Sequence, residues 1–175
     1  MKARDLVLVA VFTALTIVGA QIYIPIGNVP ITLQVLFVIL SGLILKGKKG
    51  FISQSAYVLM GLIGLPVFAG FKGGIVHIVG PTGGYIISFP IAAWIVGMLS
   101  KNRGFLRYMI SSCIGVVIIY ILGFIWLGVY VKSLKSAFLM GVLPFIPWDI
   151  LKALIASYIA YKYESYFKYD FQKIF

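Results

Sequence analysis

Residues 106–130 read LRYMISSCIGVVIIYILGFIWLGVY, and this run decides the class of fold. After Arg107 it carries no charged side chain through Tyr130. A helix needs about 20 mainly apolar residues to cross the hydrocarbon of a bilayer, and the run exceeds that length. Five further apolar stretches surround it. They run from about Leu6 to Ile24, closed by Pro25; from about Ile31 to Leu45, closed by the basic segment 46–50; and from about Phe51 to Val67. Another runs from about Gly83 to Leu99, closed by residues 101–104, and the last is opened by Pro144 and Pro147 and ends near Tyr163. The second stretch is short for a span. Residues 131–142, with Lys132 and Lys135, suit either a short amphipathic surface helix or part of the last span. Two prolines three apart favour a helix starting near Pro144, because proline is tolerated in a first turn and disruptive in an interior. The sequence therefore predicts an all-α, polytopic membrane protein with six transmembrane helices in one domain, residues 1–175.

Composition agrees. The chain of 175 residues is 62% hydrophobic and 11% charged, and its mean hydropathy is +1.08. Soluble domains are near half apolar and a quarter charged, and a soluble core of this size could not hide so much apolar surface. The net charge is +11, from 15 Lys and Arg against 4 Asp and Glu. Lys2, Arg4, Lys46, Lys48, Lys49, Lys101, Arg103, Arg107, Lys162, Lys168 and Lys173 fall at the N-terminus, two alternate loops and the C-terminus. The other loops carry only Lys72, Lys132 and Lys135. Basic residues collect on the cytoplasmic side, so both termini are expected in the cytoplasm. The charge thus reports topology, and no nucleic-acid partner is expected. Lys2 and Arg4 before an apolar run, with small residues at Val18-Gly19-Ala20, look like a secretory signal. The run continues to about Ile24, long enough to span, so it reads as an uncleaved first helix. The single Cys113 excludes an internal disulfide and a cysteine-rich metal cluster.

Asp149 and Lys152 are the sharpest chemical signal. They lie inside the last span, three apart, and so project from one helical face. A charge at membrane depth costs at least about 2.5 kcal/mol, so such groups persist when paired or when they face a cavity. A structural ion pair, or Lys152 reaching toward the outer surface, is the competing reading. A carboxylate acceptor beside an ammonium donor suits a neutral group bearing both N–H and C=O, such as a ureido or amide head. On the same outer side lie Gly70-Phe71-Lys72-Gly73-Gly74 and Gly80-Pro81-Thr82-Gly83-Gly84-Tyr85. Glycine lets backbone approach a ligand, and irregular backbone at membrane depth survives where it is buried or lines a cavity. A re-entrant lid over a pocket fits both facts; an ordinary flexible loop is the alternative. His77, in this segment, has no second metal ligand near it, and no metal site is expected. Thr32 and Gln34, in the segment from Asn28 to Gln34, could bond a ligand or cap a helix. Gln54 and Tyr57 are ambiguous in the same way. Ala10-x-x-x-Ala14 would let another helix pack closely, inside the chain or from a partner. Gly42-x-x-x-x-Gly47-Lys48 imitates a nucleotide-binding loop but continues into Lys49, without the magnesium-binding hydroxyl. ATP-driven work would need another chain. No motif for a catalytic nucleophile or paired catalytic carboxylates is present, so the chain does not read as an enzyme.

Four segments carry a family resemblance: residues 29–34 (VPITLQ), 64–70 (GLPVFAG), 80–85 (GPTGGY) and 144–152 (PFIPWDILK). Together they resemble the signature segments of the BioY biotin transporters, substrate-binding S components of energy-coupling factor (ECF) transporters. The resemblance covers about Ala3 to Tyr163. It implies the ECF S-component fold and biotin import across the cell membrane, with biotin bound near the outer face below the loop between the third and fourth helices. It also implies that Asp149 and Lys152 hydrogen-bond the ureido ring, while Phe71, Gly80, Pro81, Thr82, Gly83, Gly84 and Tyr85 pack around the ligand with Thr32 and Gln34. Lys72 is the candidate for the biotin carboxylate, since no arginine lies on the outer side. Ala10 and Ala14 match the first-helix docking motif. The implied partners are one ECF coupling transmembrane subunit and two ATPase subunits, and no cofactor is implied. The alternatives are an S component for another vitamin, a solitary biotin transporter or channel, and an intramembrane enzyme.

Overall fold

The computed structural model describes residues 1–27, 29–101 and 104–173, with side chains through Tyr166. Asn28 and Arg103, and the side chains of Lys168 and Lys173, lie outside it. Helix α1 spans Ala3–Gln21 and stops before Ile24, because Tyr23–Ile24 (β1) pairs antiparallel with Ile31–Thr32 (β2), Tyr23 opposite Thr32. Pro25 and Gly27, at φ +56°, make the intervening turn. The hairpin takes Ile31 and Thr32 out of the second apolar stretch, so α2 spans only Gln34–Leu45.

A single residue, Lys46 at φ 65° and ψ 174°, separates α2 from α3, Gly47–Leu62. The basic segment expected as a loop is therefore the first turn of α3. Gly50 makes that turnaround possible: a Cβ there would come 3.1 Å from the Ser41 carbonyl oxygen of α2. After an irregular segment come the short α4, Ile75–Val79, then α5, Gly83–Leu99, and α6, Phe105–Val131. Lys132 ends α6 in the left-handed conformation, and Ser133 caps α7, Leu134–Gly141, its Oγ accepting the Ser136 N–H at 3.2 Å. Residues 131–142 thus hold a separate short helix. One 3-10 turn containing Pro144 leads into α8, Ile146–Lys173, with Pro147 in its first turn, where its missing N–H has no helical partner to lose.

Among the described residues six longer helices, α1, α2, α3, α5, α6 and α8, form the bundle. The stretches Ala3–Gln21, Phe105–Val131 and Leu134–Tyr166 are long and apolar enough to cross a membrane outright, whereas α2 and α5 are apolar but shorter. At about 1.5 Å per residue, the 12 residues of α2 cover about 18 Å, and the hairpin completes that column. The outward face is apolar: Val117, Ile121 and Ile125 of α6 are each at least half exposed, four residues apart. Such a stripe would be an aggregation face in water and is what lipid covers in a membrane protein.

Inside, the core divides by depth. One cluster includes Val38, Tyr57, Phe68, Tyr85, Phe89, Ile119 and Phe145; the other includes Phe12, Ile39, Leu43, Val96, Tyr108 and Ala156. Next to the second cluster, Lys49 pairs with Asp5, and Lys46 reaches Glu164 at 3.0 Å and the Ser100 carbonyl at 3.2 Å. These contacts gather the start of α1, the α2–α3 junction, the end of α5 and the far part of α8 at one end of the bundle.

Candidate functional site

At the opposite end lies a cavity of about 430 Å³. Its walls come from the β1–β2 hairpin, the start of α2, residues 68–82, the start of α5, the later half of α6 and the first turns of α8. Apolar groups dominate it, among them Val29, Phe68, Ile86, Phe89, Ile119 and Phe145.

The polar centre is Asp149. It is 1% exposed, and Lys152, one helical turn on, is 5% exposed. Lys152 Nζ donates to Asp149 Oδ1 at 2.7 Å, and the Tyr120 hydroxyl of α6 donates to Oδ2 at 2.7 Å. The position in the first turn of α8 also favours the carboxylate, because the helix N-terminus carries partial positive charge. A carboxylate has about four acceptor positions, and two of those on Asp149 are taken from within the protein. The remainder can accept N–H groups from a ligand, and Lys152 keeps N–H donors for a carbonyl. The pair thus matches a group that presents N–H and C=O side by side.

Thr32 and Gln34 meet at the cavity wall. Thr32 Oγ1 donates to Gln34 Oε1 at 2.9 Å and accepts the Gln34 backbone N–H at 3.2 Å. Gln34 Nε2 donates to the Tyr57 hydroxyl. Part of the Gln34 amide is therefore used inside the protein, and one N–H and one lone pair remain. Lys72, Gly80, Pro81, Thr82 and Tyr85 also line the cavity. A two-residue bridge with Phe68 orients Lys72, through N–H···O contacts of 2.8 and 3.3 Å. The Gly80 carbonyl accepts the Trp126 indole N–H at 2.8 Å, and the Tyr85 hydroxyl donates to the Gly141 carbonyl at 2.8 Å. These bonds tie the wall to α6 and α7.

Phe71, Gly83 and Gly84 do not reach the cavity wall. Phe71 is 72% exposed, and its backbone N–H donates to Gln21 Oε1 at 2.9 Å, which pins the 68–72 turn to the end of α1. Gly83 and Gly84 open α5, where added Cβ atoms would overlap the Ile78 carbonyl and the Trp126 side chain. Gly83 thus admits the backbone of α4 and Gly84 lets α5 and α6 pack closely, so they shape the wall from behind. Gln54 is elsewhere, fully buried, with Nε2 donating to Thr16 Oγ1 at 3.0 Å and Ser41 Oγ at 3.2 Å. His77 does line the cavity, its ring 6.3 Å from that of Phe68. No cluster of His, Cys, Asp or Glu suited to a metal occurs among the described residues. Ala10 and Ala14 lie exposed on α1, away from its core face of Val9, Phe12, Thr13 and Thr16.

Sequence reasoning missed Tyr120, Tyr23 and the apolar walls. Tyr120 carried one signal: a tyrosine within an apolar run usually finds a polar partner when buried. Nothing in the sequence named that partner.

The BioY family model matches residues 1–169. A probable biotin transporter of Pyrococcus horikoshii is 56% identical over 160 residues, covering 91% of this chain and 96% of its own. The biotin transporter BioY of Thermotoga maritima is 46% identical over 158 residues, covering 90% and 94%. A crystal structure of the S-component for biotin from an ECF-type ABC transporter superposes with a TM-score of 0.81 at 30% identity, covering 94% of this chain and 95% of that one. The chain belongs to the BioY family.

Proposed function

We propose that this chain is a high-affinity biotin-binding S component that serves biotin import across the cell membrane and catalyses no reaction itself. The observation that carries the reading is the buried Asp149–Lys152 pair on the wall of a mainly apolar cavity. The cavity volume lies within the roughly 300–1,000 Å³ range of small-molecule sites. Asp149 accepts from the ureido N–H groups of biotin, and Lys152 donates to its carbonyl. Thr32, Gln34, Gly80, Pro81, Thr82 and Tyr85 surround the bicyclic ring, and Lys72 takes the carboxylate. Phe71 covers the outer side of this wall.

The chain forms one membrane domain with both termini in the cytoplasm, which places the cavity toward the outside. An ECF coupling transmembrane subunit and two ATPase subunits energise the import, and the exposed face of α1 around Ala10 and Ala14 docks on the coupling subunit. A bulky substitution, Ala14→Trp, should abolish co-purification with that subunit while biotin still binds.

Isothermal titration of the detergent-purified protein tests the ligand assignment. Biotin should bind with nanomolar Kd, and thiamine and riboflavin should not compete. Asp149→Asn should weaken biotin by at least about tenfold, since a hydrogen bond to a buried charge is worth more than about 1.4 kcal/mol. Absence of any biotin heat, with heat from another vitamin, would replace the ligand. Uptake into vesicles lacking ATPase subunits would instead indicate a solitary transporter.

A further inference from the structure

Tyr120 lies on α6 and Asp149 on α8, so the hydroxyl-to-carboxylate bond of 2.7 Å crosses between two helices. Both residues line the cavity. The carboxylate is held from two sides, by Lys152 on Oδ1 from its own helix and by Tyr120 on Oδ2 from the facing one. A buried charge requires both a counter-charge and hydrogen bonds to its remaining lone pairs. Lys152 supplies the first, and Tyr120 is the neutral donor. With two fixed donors the carboxylate plane cannot rotate freely, so its free acceptor positions keep one direction relative to the cavity.

From this geometry we infer that Tyr120 is a positioning residue for ligand recognition, acting through Asp149. The inference rests on the biotin assignment for its binding readout only. Preorganisation of this kind raises affinity because the ligand need not order the acceptor on arrival.

The test uses full-length protein in detergent. Tyr120→Phe keeps the ring and removes the hydroxyl, and biotin Kd should rise about tenfold. In an Asp149→Asn background the same substitution should change Kd less than twofold, because the group through which Tyr120 acts has gone. Ser112→Ala serves as the structural control. It breaks another α6–α8 side-chain bond, between Ser112 and Ser157 at 2.9 Å. It should lower the melting temperature and leave Kd within twofold.

A ligand-free arm separates this inference from the biotin reading. The infrared difference between wild type and Asp149→Asn isolates the Asp149 carboxylate stretch, and Tyr120→Phe should shift that band. Tyr120 losing its role would show as an unshifted band, as a Kd within twofold of wild type, as fully additive losses in the double variant, or as an equal loss from Ser112→Ala. A wild-type protein that binds no biotin but shows the band shift would overturn the ligand and keep the positioning role.

Discussion

Asp149 and Lys152 are buried together, so their energies cannot be separated. Removing one leaves the other charged and unpaired, a loss of about 3–5 kcal/mol for a buried pair. Lys152→Met should therefore lower thermal stability more than Asp149→Asn does, because it strands a buried carboxylate without its counter-charge, whereas the asparagine still offers Lys152 an acceptor oxygen. The double variant Asp149→Leu with Lys152→Met should regain much of the lost melting temperature while binding no biotin. Equal stability of the Lys152→Met variant and wild type would mean that the pair is solvated in the membrane. At the other end, Glu164 is 19% exposed and Lys46 38% exposed. An ion pair so placed contributes roughly 0–1 kcal/mol. Glutamine at this position keeps an acceptor for the Tyr108 hydroxyl that now donates to Glu164, so Glu164→Gln removes the ion pair alone and should move the melting temperature far less than Lys152→Met; thermal unfolding of the two variants side by side decides this.

At the scale of elements, the contact between α5 and α6 sets the shape of the cavity. Gly84 meets Trp126, and Gly123 meets the Tyr85 ring, so neither position has room for a side chain. Gly84→Val would force the helices apart or displace the Trp126 indole from its bond to the Gly80 carbonyl. Overpacking of this kind costs about 1–3 kcal/mol. The expected result is a lower melting temperature together with weaker biotin binding, read by thermal unfolding and titration. Retention of full affinity would show that the wall tolerates a shift of α5. The two glycine-rich stretches, 70–74 and 80–85, read in the sequence as one lid or as a flexible loop, but three parts of this region do different work in the fold. The 68–72 turn presents Lys72, the 80–82 segment lines the cavity, and Gly83–Gly84 pack helix against helix. Glycine has the same spelling in all three, so only the neighbours it meets distinguish them.

For the whole molecule, the ion pairs at one end and the cavity at the other make an axis. The basic residues cluster at the end that holds the start of α1 and the α2–α3 junction, which should face the cytoplasm. Cysteine labelling checks this directly. With the native thiol removed by Cys113→Ser, a membrane-impermeant maleimide added to intact cells should label Ser133→Cys and spare Lys48→Cys. The reverse pattern would invert the molecule and place the cavity on the inside.

The apolar runs and their punctuation determined that this chain is a six-helix membrane protein, because hydrocarbon admits only backbone that satisfies its own hydrogen bonds, and length then decides what can span. The same rule made Asp149 and Lys152 conspicuous, since two charges in such a run require a reason. Sequence periodicity could not show that Tyr120 closes on Asp149. Nor could it show that Gln34 of α2 bonds Tyr57 of α3, or that the 68–72 turn, held to Gln21 at the end of α1, leaves Phe71 facing outward. Each of these depends on which helix faces which. That choice is made by close packing, where glycines and alanines let particular helices approach, and it has no local signature along the chain.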